Sequence, residues 1–449
     1  MAASSSASVA VNDAENRIVG MMVGSAVADA VGIYTDSLTK GEANAAYGGR
    51  RILLSYKANE LTPHYPDDHR AKYEDGNWSE VTEMALCSLF SNVHDPDPNQ
   101  LPRRLLQLSR DGNRAYGLLP LDLGQPTKDI VESNGYILDP EAAALQRWKA
   151  KDRGIGDRNG SNAPLIRIHP IAVVATEYSF NWAVTNANNN CRVTHVDSRC
   201  TFSAMIAVAL LRGLLRREVQ TEQQISPLIQ RCKKHNDFWA QNPPKGTGDD
   251  RGAYYSVGNH AELSRLLTAQ SLQDLQLDNG RNRGDVWKCL AAGVYCLRAA
   301  MIRLERLSGQ PREDMRKVLF ADLISALISE GGAAQANAAF AGALLGAYLG
   351  YDAIPVAWRR GLSHRTFLMR KCKLLCTIVG VIPGDEYQEH DSQLYPSRTA
   401  SEWRAMQGTI QNKRRFRKQM LQRRRDDPNF IDSRRRTFHG SLKFPARGN

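Results

Sequence analysis

Asn159, Gly160 and Ser161 form a short loop whose groups are suited to binding phosphate. Within three residues the loop offers an amide side chain, a hydroxyl and backbone N–H groups, which together can surround an anion. An ordinary surface turn has the same composition. The loop by itself therefore leaves both a phosphate site and a turn open.

A second candidate lies where Gly331 and Gly332 precede an alanine-rich helix, predicted over residues 338–349. Glycines at this point would let a ligand approach the free N–H groups of the helix N-terminus. Gly342 and Gly346 lie inside the helix, where glycine costs about 0.5–1 kcal/mol relative to alanine. Their presence indicates that another helix approaches closely.

Two acids and one histidine lie in or near predicted helices. Asp29 is inside an apolar helix, predicted from Asp13 to Gly32, and is either a buried hydrogen-bonded acid or support for a site. Asn77 followed by Glu80 fits an N-cap with an acid three residues later. His195 precedes another apolar helix, where either a structural or a ligand-binding role is open.

Helical periodicity dominates the chain, and convincing strand alternation is nearly absent. The pattern predicts an all-α fold of roughly ten or more helices with polar connecting loops. We expect three segments: a disordered leader at 1–13, one compact all-α domain at 14–400, and a basic, flexible tail at 401–449.

The net charge of +12 is concentrated at the C-terminus. From Lys413 onward the chain has 13 Lys/Arg and 3 Asp, a net charge of +10, which leaves about +2 for the rest. Such a tail could bind nucleic acid or another anionic surface, with an affinity that falls steeply with salt. The alternative is a solvated extension.

Neither a membrane span nor secretion is expected. The chain lacks a run of 18 apolar residues, and its first residues lack the basic and apolar regions of a signal peptide. Its 8 cysteines are scattered and form no CxxC pair. These features indicate reduced thiols and an intracellular protein, either cytoplasmic or nuclear.

Four separated motifs together resemble the ADP-ribosylglycohydrolase family of the dinitrogenase reductase-activating type. They are RIVGMMVGSAVADAVG, GNWSEVTEMALC, NGSNAPLIRIHPIA and EGGAAQANAAFAGALLGAYLGYDAIPVAW, in that order. The resemblance extends from about Ala14 to Val381. It implies a compact orthogonal multi-helix fold with a cleft for ADP-ribose, and hydrolysis of N- or O-linked ADP-ribose assisted by two Mg²⁺ ions.

The resemblance also implies which residues contact the ligand. Asn159, Gly160 and Ser161 match the family's phosphate-side loop, and Arg167 matches the arginine that follows it. His195 matches a histidine that could hydrogen-bond the ligand. Gly331 and Gly332 match the glycines that open the helix N-terminus.

The metal-binding segments depart from the family pattern. Ser79, Glu80 and Val81 stand where the family has Thr-Asp-Asp, and an alanine-rich segment around Gln335 stands where it has Asp-Thr-Asp-Thr. Glu80 is the one acid left of four in these two segments. Because two magnesium ions bring four positive charges and prefer carboxylates, Ser79, Glu80 and Gln335 are expected to be vestigial metal positions.

We therefore expect a glycohydrolase-like protein that has lost the family's metal-dependent reaction, needs no cofactor, and keeps a cleft for ADP-ribose, a related nucleotide or an ADP-ribosylated protein. One alternative is an active hydrolase that removes ADP-ribose from protein side chains with a rebuilt centre. Its acids would come from Glu80, the catalytic candidate, or from Glu83, Asp29, Asp197 or the pair Asp249 and Asp250. A second is a scaffold, or a protein that contacts nucleic acid through its tail.

Overall fold

The protein is almost entirely helical over the residues that its computed structural model describes. These are residues 2–48, 51–54, 60–93, 100–113, 121–151, 160–241, 260–384 and 399–426. Over these ranges the chain forms seventeen α-helices and no β-strand. A single antiparallel bridge joins Ser161 to Asp285. The all-α prediction is confirmed.

The helices are numbered in chain order. They are α1 Ala2–Gly32, α2 Lys40–Tyr47, α3 Glu80–Val93, α4 Gln100–Asp111, α5 Gln125–Val131, α6 Pro140–Lys151, α7 His169–Val174, α8 Phe180–Arg192, α9 Ser198–Leu215, α10 Ile225–Gln241, α11 His260–Leu267, α12 Val286–Glu305, α13 Gly309–Ile328, α14 Ala334–Leu349, α15 Val356–Gly361, α16 Arg365–Ile378 and α17 Ala400–Asp426.

Two helices, α1 and α14, cross at the centre of the molecule. Glycines face each other at the contact: a methyl group added at Gly24 would lie 2.6 Å from the carbonyl oxygen of Gly342, and one at Gly20 would lie 2.5 Å from that of Gly346. Backbone therefore packs on backbone, which only glycine permits. The close approach predicted from the glycines of α14 is confirmed.

The core forms around this pair of helices. Helices α9, α12 and α13 pack against α14, and their apolar side chains join one large buried cluster. A smaller cluster under α3 to α6 packs against the first turns of α14 through Ala336 and Ala339. The N-terminal ends of α3 and α14 are thereby held at the boundary between two packed regions.

The first helix differs from the sequence prediction. It begins at Ala2, so residues 2–12 continue the helix that was expected to start at Asp13. The expected disordered leader at 1–13 is thus helical over residues 2–13. Its run of alanine and serine contains no glycine or proline, and alanine has the highest helix propensity.

The C-terminal segment also differs. A flexible tail was expected at 401–449, but α17 spans Ala400–Asp426 as a helix. Its residues Met406, Ile410 and Leu421 are buried, which explains the order: an apolar stripe packs on the domain. Residues 427–449 lie outside the described part of the chain, and nucleic-acid binding by this segment stays a prediction.

Ion pairs fix α17 to the loop before α3. Arg417 donates to one Asp75 oxygen at 2.6 Å, Arg424 donates to the other at 3.0 Å, and Lys418 lies 2.7 Å from Asp68. The two guanidinium groups hold the pKa of the Asp75 carboxyl below its usual value, against the effect of burial. Part of the positive charge of α17 is therefore paired with acids of the domain.

One helix, Ser198–Leu215, is long and apolar enough to cross a membrane by length and composition. In the folded protein 83% of it is buried, where it packs against other core helices. This is weak evidence for a membrane span, because the central helix of a packed core has the same composition.

Candidate functional site

A cleft of about 450 Å³ opens where the N-termini of α3 and α14 meet. Four segments form its walls: residues 36–37, residues 123–127, the loop 160–163, and the loop 280–285. Most polar residues of the cleft lie in the loops, whereas the first turns of α3 and α14 contribute Glu80, Gln335 and apolar side chains. Cleft walls that are fixed by packed helices are a common setting for binding sites.

Asp29 caps α3 from below the cleft. Its carboxylate accepts hydrogen bonds from Ser79 N (2.9 Å), Ser79 Oγ (2.6 Å), Thr82 N (3.1 Å) and Thr82 Oγ1 (2.7 Å). Burial raises the pKa of Asp29 to about 6, although these hydrogen bonds oppose the shift. Of the two roles left open, the structure supports the buried, hydrogen-bonded acid.

This arrangement turns Ser79 away from the cleft. Its hydroxyl is fully buried and donates to Asp29, and Ser79 does not line the cleft. Helix α3 begins at Glu80, so the predicted N-cap at Asn77 is wrong. Asp29, brought in from another helix, satisfies the N–H groups that Asn77 was expected to cap.

Glu80 does line the cleft, and the residue is partly exposed. The Tyr73 hydroxyl donates to Glu80 Oε2 at 3.0 Å. Burial, together with the nearby negative charge of Asp29, raises the pKa of Glu80 to about 8. At neutral pH the Glu80 side chain is therefore mostly a neutral carboxylic acid.

At the other helix end, Asp36 takes the capping role. Its Oδ1 accepts from Gln335 N at 3.2 Å, and its Oδ2 lies 3.3 Å from His69 Nε2. Gln335 is 3% exposed and lies beside Tyr73. Ala333 and Ala336 complete this side of the cleft and supply only methyl groups.

Gly331 and Gly332 form the turn that leads into α14. Both adopt positive φ, 71° and 73°. Gly332 N donates to Leu38 O at 2.8 Å, Gly331 N donates to Ile328 O at 3.1 Å, and a side chain at either residue would collide with neighbouring backbone. Their N–H groups are thus committed to protein carbonyls, and only Gly332 lines the cleft. That a ligand approaches the N-terminus of α14 beside Gly332 stays a prediction.

Gly160 and Ser161 lie in the cleft wall, as the sequence predicts, whereas Asn159 falls outside the described residues. The loop is joined to the start of α12: Val286 N donates to Gly160 O at 2.7 Å, and Asn162 N donates to Gly284 O at 3.0 Å. These bonds fix two loops of the cleft against each other.

Arg167 and His195 are not among the cleft residues. Arg167 is fully buried and donates to Asn190 O at 2.9 Å and to Thr194 Oγ1 at 2.7 Å. His195 is buried, with Nδ1 2.9 Å from the same Thr194 oxygen. Both side chains support the turn between α8 and α9, which corrects the expectation that they contact the ligand.

The sequence interpretation missed several polar residues of the cleft. They are Asp36, His69, Thr127, Arg281, Arg283 and Asp285. Most belong to connecting segments without helical periodicity, so their spacing contains no signal of proximity. Asp285 had a local signal, because an acid before an apolar helix is a typical N-cap. It accepts from Trp287 N at 2.8 Å and from Lys288 N at 3.2 Å.

A divalent metal ion in the cleft would need several carboxylate oxygens close together. Glu80 and Asp36 are the acids at the two helix ends, and Asp36 already accepts from Gln335 N. Over the part of the chain that the structure describes, no group of three or more His, Cys, Asp or Glu residues is arranged to hold a metal ion.

Comparisons with known proteins agree with the fold. A family model described as ADP-ribosylglycohydrolase matches residues 10–384. A solved structure titled "ADP-ribosylglycohydrolase-related protein complex" superposes with a TM-score of 0.52 at 20% identity, covering 82% of this chain and 99% of that one. At this identity the superposition supports the fold alone. No curated protein matches the chain.

Proposed function

This chain belongs to the ADP-ribosylglycohydrolase family, and from that premise we propose that it binds ADP-ribose or a related nucleotide in the cleft without the family's dinuclear magnesium centre. The observation that carries the proposal is the chemistry at the two helix ends. Glu80 is the one acid at the α3 end that lines the cleft, and Ala333, Gln335 and Ala336 at the α14 end supply no carboxylate.

Charge balance supports the loss of the metal pair. Two Mg²⁺ ions bring a charge of +4 and are held by oxygen ligands, mainly carboxylates, at about 2.0–2.1 Å. Besides Glu80, two acids line the cleft: Asp36, which is engaged by Gln335 N and His69, and Asp285, which accepts from Trp287 N and Lys288 N. Ser79 Oγ, which a metal could otherwise use, donates to Asp29.

The cleft itself is retained. Its volume of about 450 Å³ falls within the usual range for small-molecule sites, and its walls are tied together by backbone hydrogen bonds. Loss of the metal ligands without collapse of the cleft favours binding as the surviving function.

Calorimetric titration with ADP-ribose tests the proposal. The expected result is saturable binding whose Kd is the same in Mg²⁺ and in EDTA. Ala333→Trp should fill the cleft and weaken binding more than about tenfold, or 1.4 kcal/mol. Ala405→Trp, the same change at an exposed position of α17, should leave the affinity unchanged. Binding that tightens strongly with Mg²⁺ would contradict a metal-free site.

A second candidate function is hydrolysis by a rebuilt centre, and one observation favours it. A carboxylic acid with a pKa near 8 that lines a cleft, as Glu80 does, has the properties of a general acid. This alternative predicts release of ADP-ribose from modified arginine or serine peptides, abolished by Glu80→Gln. No release in Mg²⁺, Mn²⁺ or EDTA would exclude it.

A further inference from the structure

The loop Gly280–Gly284 forms one rim of the cleft and contains two arginines, Arg281 and Arg283. The loop is exposed, but its backbone is held in place. Asn282 N donates to Asn279 O at 3.1 Å, and Gly284 O accepts from Asn162 N at 3.0 Å. The two arginines thus belong to a loop that is hydrogen-bonded to the 160–163 loop, not to a free tail.

Neither arginine is paired with an acid among the residues that the structure describes. Their only interactions there are Arg281 N to Asn279 Oδ1 at 3.1 Å and Arg283 Nη1 to Ser37 O at 3.5 Å, both with neutral acceptors. By contrast, Arg199, next to the same wall, lies 3.2 Å from Asp197. Two positive charges are therefore available at the mouth of the cleft.

The cleft has an uneven distribution of charge. Asp36 and Glu80 lie at the helix ends, where an anion would meet a carboxylate or a neutral acid. The loop of Arg281 and Arg283 lies on another wall, where the nearest acid, Asp285, already accepts from Trp287 N and Lys288 N. A ligand with an anionic part and a hydroxyl-rich part would place the anionic part towards the arginines.

We propose that Arg281 and Arg283 form an anion-binding rim that holds the diphosphate of the ligand and so orients its ribose hydroxyls towards Glu80 and Gln335. The inference rests on the proposed function, since it names the groups that recognise the nucleotide's charge. Guanidinium groups suit it because they donate two parallel hydrogen bonds to phosphate oxygens.

The test is the affinity of the full chain for inorganic pyrophosphate and for ADP-ribose, measured by calorimetry at two salt concentrations. The double variant Arg281→Gln/Arg283→Gln should bind both probes about tenfold or more weakly, with a smaller salt dependence. Arg303→Gln/Arg306→Gln removes the same charge at the far, exposed end of α12 and should change neither affinity.

The outcomes separate this inference from the proposed function. If the Arg281/Arg283 variant binds both probes as tightly as the unaltered protein, the two arginines do not bind the diphosphate, whereas nucleotide binding in the cleft is still supported. If the unaltered protein binds pyrophosphate but not ADP-ribose, and the variant loses pyrophosphate, the rim stands and the proposed function is wrong. If the unaltered protein binds neither probe, both are wrong.

Discussion

Replacing Gly346 with alanine is expected to destabilise the protein by about 3 kcal/mol or more, the largest effect that we predict for a single added methyl group. The new methyl would overlap the carbonyl oxygen of Gly20 on α1. Neither helix can yield easily, because both are buried among the core helices. Relief requires the two backbones to separate, which opens the centre of the core.

Chemical denaturation monitored by circular dichroism measures this effect as a change in the free energy of unfolding. Gly408→Ala is the matched control, since a methyl added at Gly408, on the exposed surface of α17, meets no atom within 4 Å. It should be neutral or stabilise by up to about 1 kcal/mol through helix propensity. If the two variants have the same stability, the backbones of α1 and α14 are not in contact at Gly346.

Replacing Glu80 with glutamine is expected to change how stability depends on pH. The pKa of Glu80 is raised to about 8 in the folded protein, so between about pH 4.5 and pH 8 the folded state binds more protons than the unfolded state. Stability then falls as the pH rises through this window. Because glutamine cannot ionise, the free energy of unfolding of the variant should decrease less as the pH rises.

We expect Glu80→Gln and the unaltered protein to have similar stability at pH 5. At pH 8.5 the variant should be more stable by about 2 kcal/mol, a value reduced from the full shift because the carboxyl is partly exposed. Urea unfolding across this range measures the difference. Glu305→Gln, the same change at an exposed position, is the control. A difference that stays constant with pH would show that Glu80 ionises as it does in water.

The packing of the fold could be predicted from the sequence where the pattern is repeated over many residues. Gly342 and Gly346 lie one helical turn apart, so they mark one face, and that face meets the glycines of α1. The docking of α17 could not be predicted in this way. It depends on Asp75, 342 residues from Arg417 in the chain, and a charged sequence is equally consistent with a solvated tail.

The candidate site was predictable only in part, for a related reason. Glu80, Gln335 and Ser161 were found because motifs surround them, and the structure brings all three to one cleft. Gly331 fits its motif, but its N–H group is used by Ile328 O. Asp36 was missed because it acts on α14 from a distant loop, and its contact with Gln335 N exists only in three dimensions.

The two helix ends at the cleft have their N–H groups bound by acids from other parts of the chain. Asp29 and Asp36 each satisfy a helix N-terminus, so the backbone is stabilised without any cation. The cleft between them keeps its walls and presents a neutral acid, an amide and methyl groups. We expect such a surface to contact sugar hydroxyls directly.

The most direct test is a crystal structure of the protein with ADP-ribose and Mn²⁺, which replaces Mg²⁺ and scatters anomalously. We expect ligand density in the cleft, with the ribose next to Glu80 and Gln335, and no anomalous peak between these side chains. A pair of anomalous peaks there, coordinated by Glu80 and Asp36, would contradict the metal-free site.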